Sequence, residues 1–366
     1  MENLGRLVAV LGGSVIAAWV LVSAVRTVVV PRGEPVVLTR WVFVVMRWIF
    51  DLWGKRAKTY EQRDHSLALY APMALVALPG SWVIFVMGGF TAINWGLGVN
   101  PLRAAFYLSG SSIFTLGIHA PPDLPTHVAA YVEAALGLGL IALLISYLPS
   151  IYTAFQRREI LVARLATRAG DPPSAIEMII RHARLERFDA LDEIWDDWET
   201  WFADIEETHT SQPSLVFFRS ISHERSWITS AGVVLDCAAL RSTVLELPPN
   251  PRAQLCIRAG YLSLRRIAGY FDVAFNEHPE PTDPISIDRS EFDAACDELV
   301  AAGVAIKADR DDAWRHFAGW RVNYDAPLLA LAGLTMAPYA PWSSDRSFRP
   351  QRASLRPAIL RRRRPR

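Results

Sequence analysis

Cysteine, lysine and the signatures of catalysis are what this chain has least of. Its cysteines, Cys237, Cys256 and Cys296, are odd in number and far apart. That excludes a disulfide framework and any metal-site spacing, and it implies buried thiols in a reducing compartment. Lysine occurs only as Lys55, Lys58 and Lys307 against 35 arginines, a bias that with abundant alanine fits a GC-rich bacterial genome. No GxSxG elbow occurs, and His223-Glu224 and His316 lack the second histidine of an HExxH pattern. The acidic run at 192–207 is spread around a helix and reads as a solvated face, with divalent-cation sensing as its rival. No enzyme activity and no cofactor are expected.

Charge is also missing over long stretches. Residues 7–25, 66–95 and 128–155 contain a single charged side chain, Glu133, within a chain that is 51% hydrophobic and holds 13 tryptophans. Nineteen uncharged residues at about 1.5 Å each suffice to cross about 30 Å of hydrocarbon, so three membrane spans are expected. A signal peptide is the rival for the first span. MENLGR has no positive n-region and the apolar run exceeds an h-region, which disfavours it.

Orientation follows from the basic residues between spans. Arg26, Arg32, Arg40, Arg47, Lys55, Arg56, Lys58 and Arg63 separate the first two, whereas only Arg103 separates the second and third. Arg157, Arg158, Arg164 and Arg168 follow the last. The positive-inside rule then gives an outside N-terminus and a cytoplasmic C-terminus. Within the basic connection, WVFVVMRWIFDLWG at 41–54 reads as an in-plane interfacial helix, or alternatively as a packed cytoplasmic one.

The segment 100–126 would begin and end on the outer side. PLRAAFYLSGSSIFT, with Pro101 suited to a first turn, makes about four helical turns. The non-helical backbone after it survives at membrane depth only inside protein or beside water. Span, short helix, Thr-x-Gly and span resemble the potassium-channel-like, two-helix-per-pore superfamily over about residues 66–155. The resemblance implies a homotetramer passing monovalent cations, with the carbonyls of Thr115, Leu116, Gly117 and Ile118 and the Thr115 hydroxyl replacing the hydration shell. No resident metal beyond the permeating cations is implied. His119 departs from the pattern, standing where the family usually has a second glycine, and Ala120 stands where an acid often follows. Glycine is favoured there because a Cβ is costly in left-handed backbone. Cation conduction is therefore expected without potassium selectivity. Four copies of His119 near the outer mouth would repel cations on acidification, unless a neutral ring bonds to Asp123 or to a backbone carbonyl.

Glu133 lies inside the third span and should face protein or water. It braces the short helix through Tyr107, Ser109, Ser111 or Ser112, or else coordinates the ion directly. Gly137 and Gly139 permit close helix approach and Pro149 removes a hydrogen bond, making this stretch the candidate gate.

From 156 onward charge is frequent. The expected order is an N-terminal span (1–31), a cytoplasmic connection (32–65), a pore domain (66–155), a cytoplasmic α-helical domain (156–342) and a disordered Arg-rich tail (343–366). Residues 157–168 extend the third span as a helix up to GDPP at 170–173. Ser174-x-x-Glu177 opens the next helix as a capping box. Leu191, Ile194, Trp198, Trp201 and Ile205 then mark an amphipathic helix, followed by helical patterns at 214–246, 251–275, 290–302 and 310–336. The strand, GxGxxG turn and helix order of a nucleotide-binding module is absent. The tail, with nine arginines and one acid, suits anionic lipid better than nucleic acid. The fold class expected is thus an all-α, multi-pass inner-membrane protein with a re-entrant loop and a cytoplasmic helical domain. A cation channel is the leading function, and a nonconducting scaffold or sensor with a degenerate pore is the alternative.

Overall fold

The computed structural model describes residues 2–30, 36–54 and 60–346. Arg32, Lys55, Arg56 and Lys58 of the basic connection, and the tail from residue 347 onward, lie outside the described residues. Among the described residues the regular elements are helices, with one isolated antiparallel bridge between Leu245 and Ile306. The chain divides into two compact units. One holds Met1–Phe155 with Ser211–Phe218, the other Gln156–Thr210 and the chain from Arg219 onward.

In the first unit the helices are α1 (Glu2–Val28), α2 (Val37–Gly54), α3 (Tyr60–Ala68), α4 (Tyr70–Gly96), α5 (Leu102–Ile113) and the first part of α6 (Leu124–Ala169). Three stretches are long and apolar enough to cross a membrane: Asn3–Val28, Tyr60–Gly96 and Leu124–Ala169. The second of these breaks at Leu69, between α3 and α4.

Where α1 crosses α4, glycine removes the side chains that would hold the backbones apart. A Cβ on Gly89 would stand 2.9 Å from the Gly13 carbonyl oxygen, and one on Gly96 would stand 2.6 Å from that of Arg6. Small residues at such spacing are how helices associate where lipid competes for every apolar side chain. Trp82, Val86, Phe90 and Ile93 of α4 then pack with Ala17, Val20 and Ala24 of α1. Helix α2 starts four residues earlier than its apolar pattern. Its Leu38, Val42, Phe43, Met46 and Phe50 pack within the unit. Its opposite stripe, Val37, Trp41, Val45, Trp48 and Leu52, is exposed.

The 214–246 pattern is not one helix. Pro213–Phe217 form a 3-10 turn, and the helix begins only at Trp227. Leu215 and Phe218 share a cluster with Phe50, Tyr70, Ala71, Ala74, Ile151 and Ala154, so this strap belongs to the first unit. The rings of Phe217 and Tyr70 lie 5.6 Å apart, and those of Phe218 and Tyr152 lie 6.0 Å apart.

In the second unit α6 continues without interruption to Ala169, as expected from residues 157–168. Ser174 accepts from the Glu177 N–H and caps α7 (Ala175–Arg184). Helix α8 (Leu191–Ser211) buries Leu191, Ile194, Trp198, Trp201 and Ile205, the face read from spacing. Next come α9 (Trp227–Thr243), α10 (Pro251–Tyr270), α11 (Arg289–Ala301), α12 (Arg310–Arg321) and α13 (Asp325–Thr335). The 310–336 pattern is two helices, interrupted at 322–324. Helix α9 is buried on nearly all sides, which accounts for its lack of an apolar stripe.

A buried arginine ties α9, α12 and α13 of this unit together. Arg321, fully buried, donates to Asp236 at 2.5 and 2.7 Å, to Asp325 at 2.7 Å and to the Trp342 carbonyl. Tyr324 also donates to Asp236, at 2.8 Å. The arginine thereby has a partner on each side, the condition under which a buried charge is tolerated. All three cysteines are free and buried, and desolvation pushes the Cys296 thiol up to about 11. Order extends past residue 342, contrary to the expected tail boundary: Ser343 is buried and Arg346 pairs with Glu291 at 2.8 Å.

Candidate functional site

Helix α5 has Pro101 at its N-cap and ends at Ile113, a turn shorter than the sequence suggests. The chain then folds back on the helix end. The Thr115 N–H donates to the Ser112 carbonyl at 2.9 Å and the Leu116 N–H to that of Ser111 at 2.8 Å. Thr115 and Gly117 have left-handed φ of 54° and 66°, whereas Leu116, Ile118 and His119 do not. The sign of φ thus alternates along Thr115, Leu116, Gly117 and Ile118. Residues 115–120 are all exposed. Among the described residues the carbonyls of Thr115, Leu116, Gly117 and Ile118 accept no hydrogen bond.

At His119 the alternation stops. Its N–H donates to the buried Ser111 hydroxyl at 3.1 Å, and its ring stands 5.5 Å from that of Tyr107. Arg103 donates to the Tyr107 hydroxyl at 2.6 Å. Asp123, which sequence offered as a partner for His119, caps α6 instead. It accepts from the Thr126 N–H at 3.0 Å and from the Thr126 hydroxyl at 2.7 Å, bonds that hold its carboxyl below the usual value and keep it charged.

Behind the loop, α6 meets α5 at two levels one turn apart. Glu133, fully buried, contacts the Ser109 hydroxyl at 2.5 Å. Of the four bracing partners read from sequence, Ser109 is the one it meets. One turn deeper, a Cβ on Gly137 would collide with the Ile113 carbonyl. That glycine therefore serves a close approach. Gly139 and Pro149 are exposed on α6, and nothing lies within 4 Å of where a Gly139 Cβ would be. Sequence reasoning missed Ser111 under His119 and Met87, whose carbonyl accepts from Ser109 at 2.9 Å. It also missed the Asp123 cap, which the Asp-x-x-Thr spacing signals.

Among the described residues no three His, Cys, Asp or Glu side chains converge as a metal site would require. No known protein family, curated protein or solved structure matches the chain.

Proposed function

We propose that the chain is a cation channel of the potassium-channel-like type. Four copies surround an axis, and the carbonyls of Thr115, Leu116, Gly117 and Ile118 take the place of water around a passing ion. The observation that carries this reading is the row of four exposed, unpartnered carbonyls on backbone whose φ alternates in sign, between two helices apolar enough to span a membrane. Once assembly buries it, a peptide oxygen without a partner costs on the order of 1 to 3 kcal/mol, so such a row needs an occupant. A cation supplies it. One loop per chain calls for several copies, which would also cover Leu116 and Ile118, 59% and 70% exposed in the single chain.

Helix α6 supports the same reading. Ala135, Gly139, Ala142, Ser146, Ser150 and Thr153 lie on one exposed face, small or hydroxyl-bearing, as the wall of an aqueous path requires. In this reading the N-terminus is outside, the second unit is cytoplasmic, and that unit regulates the pore through the unbroken α6 and the strap at Ser211–Phe218. The Arg-rich tail meets anionic lipid.

The negative φ of His119 favours a shorter carbonyl row and weaker selection among monovalent cations. The same feature supports the second reading, a nonconducting scaffold or sensor. Potassium and sodium flux into proteoliposomes separates the two. The channel reading expects wild-type flux above that of Gly117→Ala. Alanine at a φ of 66° costs about 1 to 2 kcal/mol although nothing crowds its Cβ, so the variant folds but holds the loop poorly. Equal flux from both proteins supports the scaffold.

A further inference from the structure

The Ser109 hydroxyl oxygen lies 2.5 Å from Glu133 Oε1 and 2.9 Å from the Met87 carbonyl oxygen. A hydroxyl has one hydrogen, and an ionised carboxylate can only accept. With Glu133 ionised, Ser109 would satisfy one of these two oxygens and face the other with no hydrogen between them. With a proton on Glu133 both contacts become hydrogen bonds: Glu133 donates to Ser109 and Ser109 donates to Met87.

The surroundings agree. Glu133 and Ser109 are both 0% exposed, and Glu133 Oε2 has no hydrogen-bond partner among the described residues. No cation on the neighbouring helices faces the carboxyl. Helix α4 carries no Asp, Glu, Lys, Arg or His from Tyr70 to Gly96, and α6 has no other charged residue between His127 and Arg157. On α5 the charged residue is Arg103, which is exposed and engaged by Tyr107, the neighbour of exposed His119. A buried carboxylate without a cation is the arrangement proteins avoid.

We propose that Glu133 is a neutral acid in the folded protein, and that its proton completes a relay, Glu133 to Ser109 to the Met87 carbonyl, clasping α6, α5 and α4 together behind residues 115–118. Glu133 is thereby a positioning residue. The assignment stands on the geometry of three oxygens and is independent of whether the loop conducts.

The test is an infrared difference spectrum of the purified full chain at neutral pH, wild type minus Glu133→Gln. The relay predicts a protonated-carboxyl C=O band that Glu133→Gln removes and Ser109→Ala shifts. The glutamine amide still donates an N–H to Ser109, so Glu133→Gln should melt with the wild type while Glu133→Ala melts lower. A difference spectrum holding only carboxylate bands overturns the proposal, as does a protonated band that Ser109→Ala leaves in place. Should Ser109→Ala fail to fold, the comparison of wild type with Glu133→Gln still decides the protonation state.

Discussion

Two histidines in the second unit have their proton affinity lowered by their surroundings. His209 is fully buried, and Arg158 Nη1 donates to its Nε2 at 3.2 Å, so burial first and the guanidinium charge second push the imidazole well below its ordinary value. His182 is lowered as well, chiefly by burial. A base with a depressed value in the fold binds its proton more tightly once unfolded. The stability it contributes is complete above about pH 6.5 and falls as pH drops below that, at up to about 1.4 kcal/mol per pH unit per group. The full chain in detergent should therefore melt lower at pH 5 than at pH 7, and His209→Gln should reduce that difference. A wild-type melting temperature independent of pH over this range would contradict the assignment. None of this was legible in the sequence, where His209 is one polar residue among many in an acidic helix. Glu133 was legible in part: a lone charge in an apolar run had to find a partner. Which of the nearby hydroxyls it met depended on the register between α5 and α6, and no local pattern encodes a register between helices.

At the scale of elements, periodicity exposed what helices bury and punctuation failed where it was weak. The buried face of α8 follows directly from the spacing of Leu191, Ile194, Trp198, Trp201 and Ile205. The merged pattern at 214–246 has no glycine or proline where it divides, whereas the one at 310–336 has Pro327, which cannot continue a helix and sits in the first turn of α13. The crossing of α1 and α4 was hidden for a related reason, since glycine in an apolar run looks the same whether it faces a neighbour or lipid. Gly88 and Gly89 separate the two cases. A Cβ on Gly89 meets the α1 backbone, whereas one on Gly88 meets nothing within 4 Å. Gly89→Leu should destabilise the first unit by about 1 to 3 kcal/mol, the usual cost of overpacking, and Gly88→Leu should be near neutral. Thermal melting in detergent checks this, and equal effects of the two substitutions would contradict the crossing.

At the scale of the whole molecule, two units are joined twice along the chain. One connection is the continuous α6. The other is the strap at Ser211–Phe218, which leaves the second unit, packs its Leu215 and Phe218 beside Ile151 and Ala154, and returns. A chain-order reading has no means of finding such a return, because residues 211–218 sit inside a soluble-looking region and their partners lie as far back as Phe50. The strap packs on α6 just past Pro149, beside the stretch the sequence marked as a gate. Everything in the channel reading depends on where the carbonyls of 115–118 point in the assembled protein. Anomalous scattering from crystals grown with thallium in place of potassium measures this directly. A channel shows a fourfold assembly with thallium peaks on its axis, level with residues 115–118. Well-ordered crystals with no peak at that level, or with those carbonyls turned into the protein, would contradict it.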